Sequence, residues 1–362
     1  MLSIVFSSVI LALLLTFSHK FLTGDGDFTL LSKGKVKRES FQDKQVGELV
    51  CKIIAFHSSS YCYSSIRVHI HMCCKLYEVE VVLIILLFLH EGEVLAKQLA
   101  TLGAKLIISA RNEPELERVK NQISALNLGK HGPEGVEILP LDLSSGEDAI
   151  REVVEKAISL FGGAGVDYVI HNAAFERPKS TALDVPEASL KATLDVNVVG
   201  PISLTRLLLP HMLKKGKGHF VVMSSAAGKA PAPGQAVYSA SKFALNGYFH
   251  SLRSEFYQKG IMVTVVCPGP IETSNAPATS TSSKEKRVSS ERCAELVLVA
   301  TSHGLKEAWI SYQPVLAVMY LVQYMPSVGF WLMDKIGAKR VETAAKKGNT
   351  YSMNLLFGRK KE

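Results

Sequence analysis

Tyr238 and Lys242 stand four residues apart in the run YSASK. In a helix that spacing puts both side chains on one face. A free tyrosine titrates near pH ~10, too high to exchange protons readily at neutral pH. A lysine ammonium one turn away stabilises the phenolate and lowers that barrier. Such a pair gives a proton to a carbonyl oxygen, or takes one from an alcohol, while a hydride moves at carbon. Ser225 lies thirteen residues upstream in VMSSAAG, where its hydroxyl would bond the same substrate oxygen. Asn197, in DVNVVG, is a polar residue in an apolar stretch. It reads either as a satisfied buried amide or as the holder of a water that relays protons to Lys242.

A YxxxK pair has little weight alone. With 11 tyrosines in the chain, about one such pair is expected by chance. Its weight comes from the elements around it. Short apolar runs predict strands over 79–89, 104–111, 136–143, 166–174 and 261–270, and a strand with its exit loop over 218–228. Helical spacing predicts helices over 93–102, 112–126, 147–160, 187–213 and 236–258. Strands alternating with amphipathic helices predict a Rossmann-type, doubly wound parallel sheet with helices on both faces, over residues 79–310. In such sheets ligands bind beyond the carboxyl ends of the strands. Arg111, Asp142, Asn172, Ser225 and Pro268 all fall there.

The flanks read differently. Residues 1–17 are apolar and uncharged, and basic residues follow. We read 1–20 as an uncleaved signal anchor, with the domain held on the cytoplasmic side, and 21–44 as a linker. Residues 45–78 form an irregular insertion crowded with Cys, His, Ser and Tyr. The spacing of Cys62, His69, His71, Cys73 and Cys74 matches no tetrahedral zinc pattern, so no metal is expected. Residues 274–290 are polar and read as a loop, of the kind that serves as a lid beside a site. Residues 311–333 are strongly apolar but interrupted by Pro314 and Pro326. They read as a helical extension that dips into a membrane face or packs over an apolar substrate, ahead of a basic tail ending at 362. The formal net charge is +8, but the basic residues are scattered and not interleaved with aromatics, so nucleic acid is not an expected partner.

HNAA (171–174), NVVG (197–200), the serine of VMSSAAG, YSASK and PGPIET (268–273) together resemble the short-chain dehydrogenase/reductase family. The resemblance covers about residues 93–273, in order. It implies Ser225, Tyr238 and Lys242 as a catalytic triad, with Asn197 as a fourth member. It implies a nicotinamide cofactor held by Gly92, Asp142, Leu143, Asn172, Ala173, Tyr238, Lys242, Pro268, Gly269, Ile271 and Thr273. Arg111 stands where an NAD enzyme of this family usually carries a carboxylate, so NADP(H) is favoured over NAD(H). SARNEPELERVK, HNAAFERPK and the apolar flanks resemble the membrane-associated SDR family member 7 group, which is similar to the 11-beta-hydroxysteroid dehydrogenases. That implies lipophilic steroid-, retinoid- or lipid-like substrates at the endoplasmic reticulum membrane, in lipid metabolism. Helix-paired homo-oligomers are common in the family.

One family element departs. A TGxxxGxG turn between the first strand and first helix brings backbone close to the cofactor pyrophosphate. The aligned stretch here is Ile85–Leu86–Leu87–Phe88–Leu89–His90–Glu91–Gly92, where only Gly92 is kept. ESFQDK (39–44) resembles the family's lead-in to the first strand, and GEVLAKQLA (92–100) its first helix. We read 45–91 as a product of alternative splicing or a mistaken gene model. Divergence to a catalytically impaired binding or scaffold protein is the other reading.

Overall fold

The computed structural model describes residues 24–37, 80–85, 90–125, 135–175, 179–272 and 287–345. Seven parallel strands form one sheet: β1 (Val81–Ile85), β2 (Lys105–Ser109), β3 (Val136–Ile138), β4 (Tyr168–His171), β5 (Gly218–Met223), β6 (Ile261–Pro268) and β7 (Glu307–Ile310). Their order is β3-β2-β1-β4-β5-β6-β7. The order reverses between β1 and β4, which is where such sheets open a crevice for a ligand.

The pleat sorts the core into two halves. In β1, Val82 and Ile84 enter one apolar cluster, while Val81, Leu83 and Ile85 enter the other. Alternate side chains of a strand face opposite ways, and both faces are covered, so the strand is apolar throughout. Helices α2 (His90–Leu102), α3 (Glu113–Ala125) and α8 (Ser290–Ser302) cover the first face. Helices α4 (Glu147–Gly163), α6 (Gly200–Lys215) and α7 (Ala236–Phe256) cover the second. The parallel Rossmann-type sheet expected from the alternating pattern is thus present, with the strand β7 and the covering helix α8 added to those predicted. β7 has four residues and opens on a glutamate, too short and mixed for an apolar-run criterion.

The stretch predicted as one helix over 187–213 is three pieces: α5 (Glu187–Leu194), a π-helical turn (Asp195–Val199) and α6. The wider turn carries Asn197, buried at its centre. π-turns commonly mark positions where a side chain must be re-aimed. Just after it, a Cβ built on Gly200 would lie 2.6 Å from both Cβ and O of Leu143. Only glycine allows α6 to approach the residue after Asp142 so closely.

Both flanks contribute structure. Within the expected linker, residues 24–37 dock on the domain through a short helix, α1 (Phe28–Lys33). Asp27 caps α1 by accepting from Leu30 N–H at 2.9 Å. Its other oxygen accepts from Trp309 N–H at 2.6 Å, and its own N–H donates to Trp309 O at 2.8 Å. Asp25 pairs with Arg292 of α8 at 2.6 Å. Burial raises the Asp27 carboxyl above its ordinary range, against the backbone hydrogen bonds that lower it. At the other end, the apolar 311–333 stretch is two helices, α9 (Val315–Tyr324) and α10 (Pro326–Ala345). A Cβ on Gly329 would lie 2.7 Å from Val322 Cα, so the hairpin closes tightly. Pro326 opens α10, where its missing N–H costs nothing.

The expected anchor over 1–20, the insertion's 45–78 and most of the 274–290 loop lie outside the described residues. Among the described residues, one helical run, Glu187–Lys215, is long and apolar enough to span a membrane, and it belongs to the packed domain.

Candidate active site

β5 ends at Met223, and Ser225 follows as the cap of a 3-10 turn, Ala226–Gly228. Ser225 Oγ accepts from Ala227 N–H at 3.1 Å, which fixes the hydroxyl beside its own turn. A Cβ on Gly228 would meet Ser224 Oγ at 2.8 Å and Lys242 Cβ at 3.1 Å. The glycine of SSAAG therefore lets the serine loop press against α7, where Tyr238 and Lys242 sit.

Lys242 is 1% exposed. Its Nζ lies 5.5 Å from the centre of the Tyr238 ring and donates to Met223 O at 2.8 Å. A lysine buried this deeply is held beside the phenol ring by a fixed carbonyl. The helix face predicted from YSASK is present, and it meets the end of β5.

Asn197 is committed to neighbours. Its Oδ1 accepts from Phe175 N–H at 2.5 Å. Its Nδ2 donates to Phe175 O at 3.0 Å and to Ser241 Oγ at 3.0 Å. Ser241 in turn donates to Tyr238 O at 2.7 Å. Of the two sequence readings, the satisfied buried amide describes the side chain: it clamps the loop after β4 to the helix of Tyr238. Sequence reasoning passed over Ser241, which stands inside YSASK, and over the Met223 and Phe175 backbone. A backbone partner has no residue-type signal to read.

A pocket of about 170 Å³ adjoins Tyr238 between the starts of α5 and α7, with Ser189, Thr193 and Gln235 among its walls. α10 passes its rim, where Arg340 donates to Gln235 Oε1 at 3.2 Å. A second network braces the serine loop. Glu307 accepts from Lys229 at 2.6 Å, from His250 at 2.7 Å and from Trp309 Nε1 at 2.5 Å. Burial pushes the Glu307 carboxyl up, but these donors outweigh it and hold it at about 2.

The remaining sequence candidates lie along the carboxyl edge of the sheet. Arg111 is exposed just beyond β2. Asp142 is partly buried, which raises its carboxyl, but Ser144 N–H and Oγ at 2.9 and 2.6 Å and the Arg111 charge lower it on balance. Leu143 is buried against Gly200. Asn172 and Ala173 follow β4 and are buried. Pro268 ends β6, Gly269 N–H donates to Ile310 O at 2.8 Å, and Ile271 bridges to Val288. Thr273 lies outside the described residues. Gly92 is buried in the first turn of α2.

These residues fit a nicotinamide dinucleotide at its adenosine end. Asn172 Nδ2 and Ser109 Oγ are buried there with no hydrogen-bond partner among the described residues. Buried polar atoms left so are costly unless a ligand meets them. The pyrophosphate end does not fit. β1 stops at Ile85 and α2 starts at His90, so the aligned stretch falls where the phosphate turn belongs, and Leu86–Leu87–Phe88–Leu89 contains no glycine.

A doubly wound parallel sheet covered by helices on both faces defines a Rossmann-type fold. Residues 92–284 match the short chain dehydrogenase family, and the chain belongs to that family of oxidoreductases acting on CH–OH groups. It is 36% identical over 262 residues to the dehydrogenase/reductase SDR family member 7 of Homo sapiens, covering 69% of this chain and 76% of that one. It is 35% identical over 266 residues to the SDR family protein 7-like of Drosophila melanogaster, covering 71% and 79%. Among solved structures, serine dehydrogenase from Escherichia coli shares the fold with a TM-score of 0.53 at 23% identity, over 64% of this chain and 96% of that one. ElxO with NADP bound does so with a TM-score of 0.57 at 20% identity, over 66% and 99%.

Proposed function

We propose that this chain interconverts a carbonyl and an alcohol on a lipophilic, steroid-, retinoid- or lipid-like substrate, with NADP(H) as the hydride partner. The observation that carries the reading is the buried Lys242 ammonium beside the Tyr238 ring. Tyr238 gives its phenolic proton to the developing alkoxide, or takes one in the reverse direction. Lys242 stabilises the phenolate that remains. Ser225 donates to the same oxygen, and its turn keeps it in place. Asn197 and Ser241 hold the β4 loop and the first turn of α7 in fixed relation. When bound, the nicotinamide supplies the hydride chemistry. Arg111 would meet a ribose 2′-phosphate, with Asp142 and Leu143 near the adenine and Asn172 and Ala173 near its ribose. Gly92 would lie under the phosphates, and Pro268, Gly269, Ile271 and Thr273 would line the nicotinamide. The apolar 1–20 segment would anchor the chain at an endoplasmic reticulum membrane.

A second reading is a membrane-anchored SDR-fold binding protein without turnover. The glycine-free Leu86–Leu89 stretch favours it. Two measurements separate the readings. NADPH at 100 times its dissociation constant stabilises a protein by about 2.7 kcal/mol, seen as a rise in Tm. An absent rise at millimolar NADPH supports the binding protein. For the enzyme, Tyr238→Phe is expected to lower carbonyl reduction about 10²–10⁴-fold, the range for removing a general acid. Circular dichroism and Tm should remain those of the parent. An unchanged rate would show that another group gives the proton.

A further inference from the structure

Every large apolar side chain left out of the core by the C-terminal hairpin lies at its tip. Tyr324 is 74% exposed and Trp331 58%. Met325, Val328 and Phe330 between them are exposed too. The buried face of α9, made of Leu316, Met319 and Val322, is separate and packs on the domain. No Asp, Glu, Lys or Arg occurs from Tyr312 to Met333. Five exposed apolar residues within eight positions are a contiguous patch, not the scattered exposure normal for a surface. Tyr and Trp are the side chains that settle at the level of lipid headgroups. Asp334, Lys335 and Lys339 follow along α10, all exposed, and Lys335 sits over the Trp331 ring. That is the arrangement of a helix tip that buries apolar groups and leaves cations at the headgroups.

The chain's other apolar unit lies outside the described residues. Residues 1–17 are uncharged, and the chain is pinned again from Asp25, through Arg292 and through Trp309 of β7. The residues between reach at most about 25 Å. β7 leads directly into α9, whose 10 residues carry the chain about 15 Å to Tyr324. A bilayer that held residues 1–17 would thus lie within that reach of the docked Asp25.

We propose that the α9–α10 tip, Tyr324 to Trp331, is a second membrane contact that seats in the headgroup region of an anionic lipid surface. It extends the membrane part of the proposed function and does not depend on turnover. Because α9 also meets the serine loop, where Gln323 Nε2 donates to Lys229 O at 2.8 Å, the seated tip holds the Tyr238 side of the domain against the lipid.

The chain has two tryptophans, and Trp309 is buried, so Trp331 is a natural reporter. The full chain is mixed with phosphatidylcholine–phosphatidylserine vesicles with and without brominated acyl chains. We expect a blue shift of the emission and quenching by the brominated lipid, both lost in Trp331→Phe. We expect Tyr324→Ser with Phe330→Ser to reduce quenching severalfold. Co-sedimentation with vesicles but no quenching would mean that the N-terminal segment binds alone, and would overturn the proposal. Equal quenching in Trp331→Phe would overturn it too. So would a blue shift that follows protein concentration without lipid, since that places a second copy of the chain on the tip. NADPH shift and carbonyl reduction are read separately, so an inactive chain that passes the quenching test leaves the proposal standing.

Discussion

His171 and His219 are buried on opposite faces of the sheet, His171 beside Phe220 and Phe249 and His219 beside Tyr168. His171 Nε2 meets Thr205 Oγ1 at 2.9 Å and His219 Nε2 meets Thr264 Oγ1 at 2.8 Å. Each Nδ1 is buried without a partner among the described residues. Burial pushes both imidazoles down to about 3. The unfolded chain takes up their protons below pH ~6.5 and the folded one does not. Their contribution to stability is therefore fully present above pH ~6.5 and is lost as pH falls toward 3. Each should cost about 1.4 kcal/mol per pH unit in that window. Urea titrations between neutral and mildly acid pH would show the slope, and His171→Gln should remove about half of it. An unchanged slope would mean that this histidine is protonated in the folded state. Glu307 acts lower: held at about 2, it contributes stability above the ordinary carboxylate range and loses it in stronger acid. At this scale the proposed catalytic group is readable in the sequence and the contacts around it are not. Tyr238, Lys242 and Ser225 announce themselves by type and spacing. The Met223 carbonyl that holds Lys242, and the Phe175 backbone that occupies Asn197, do not.

Elements were legible where burial is uniform. β4, β5 and β6 are buried end to end, apart from Met262, and stand out as apolar runs. The π-turn at Asp195–Val199 is invisible because the apolar pattern continues across it. β7 and α8 were missed because one is short and the other follows a polar loop. The helices that carry the site are held by identifiable contacts. Phe249 of α7 is fully buried, with rings of His171 at 5.3 Å and Phe220 at 6.3 Å. Phe249→Ala should cost about 3–5 kcal/mol, read as a fall in the denaturant midpoint. Gly200→Ala fails differently, since its methyl would strike the Leu143 backbone. A cost of about 1–3 kcal/mol is expected for such overpacking. NADPH response should weaken with it, because Leu143 is displaced. If Gly200→Ala matches the parent in both Tm and cofactor response, the close approach of α6 to Leu143 is not required.

At the scale of the whole molecule, two halves of one site answer to different stretches of chain. The chemical half, from β5 to α7, follows the family pattern residue by residue. The phosphate half depends on the passage from β1 to α2, and there the pattern stops at strand and helix. β1 is a good strand because Val81–Ile85 are apolar and β-branched or leucine, and α2 keeps its buried Leu95 and Leu99. Packing thus preserves the fold on both sides of residues 86–89, which contain no glycine. Introducing two glycines tests the phosphate half directly. Leu86→Gly with His90→Gly removes side chains where phosphate oxygens would come within hydrogen-bond distance of backbone N–H groups. Glycine at the start of α2 should lower the stability of the ligand-free protein by about 1 kcal/mol. In exchange, the rise in Tm with NADPH should become larger than in the parent, and carbonyl reduction should rise with it. Arg111→Glu in that background should weaken the response to NADPH more than the response to NADH, because the 2′-phosphate would meet a carboxylate. If the two glycines lower Tm and leave the NADPH response unchanged, the defect lies elsewhere in the β1–α2 passage, and Glu91, a negative charge at the start of α2, is the next residue to replace.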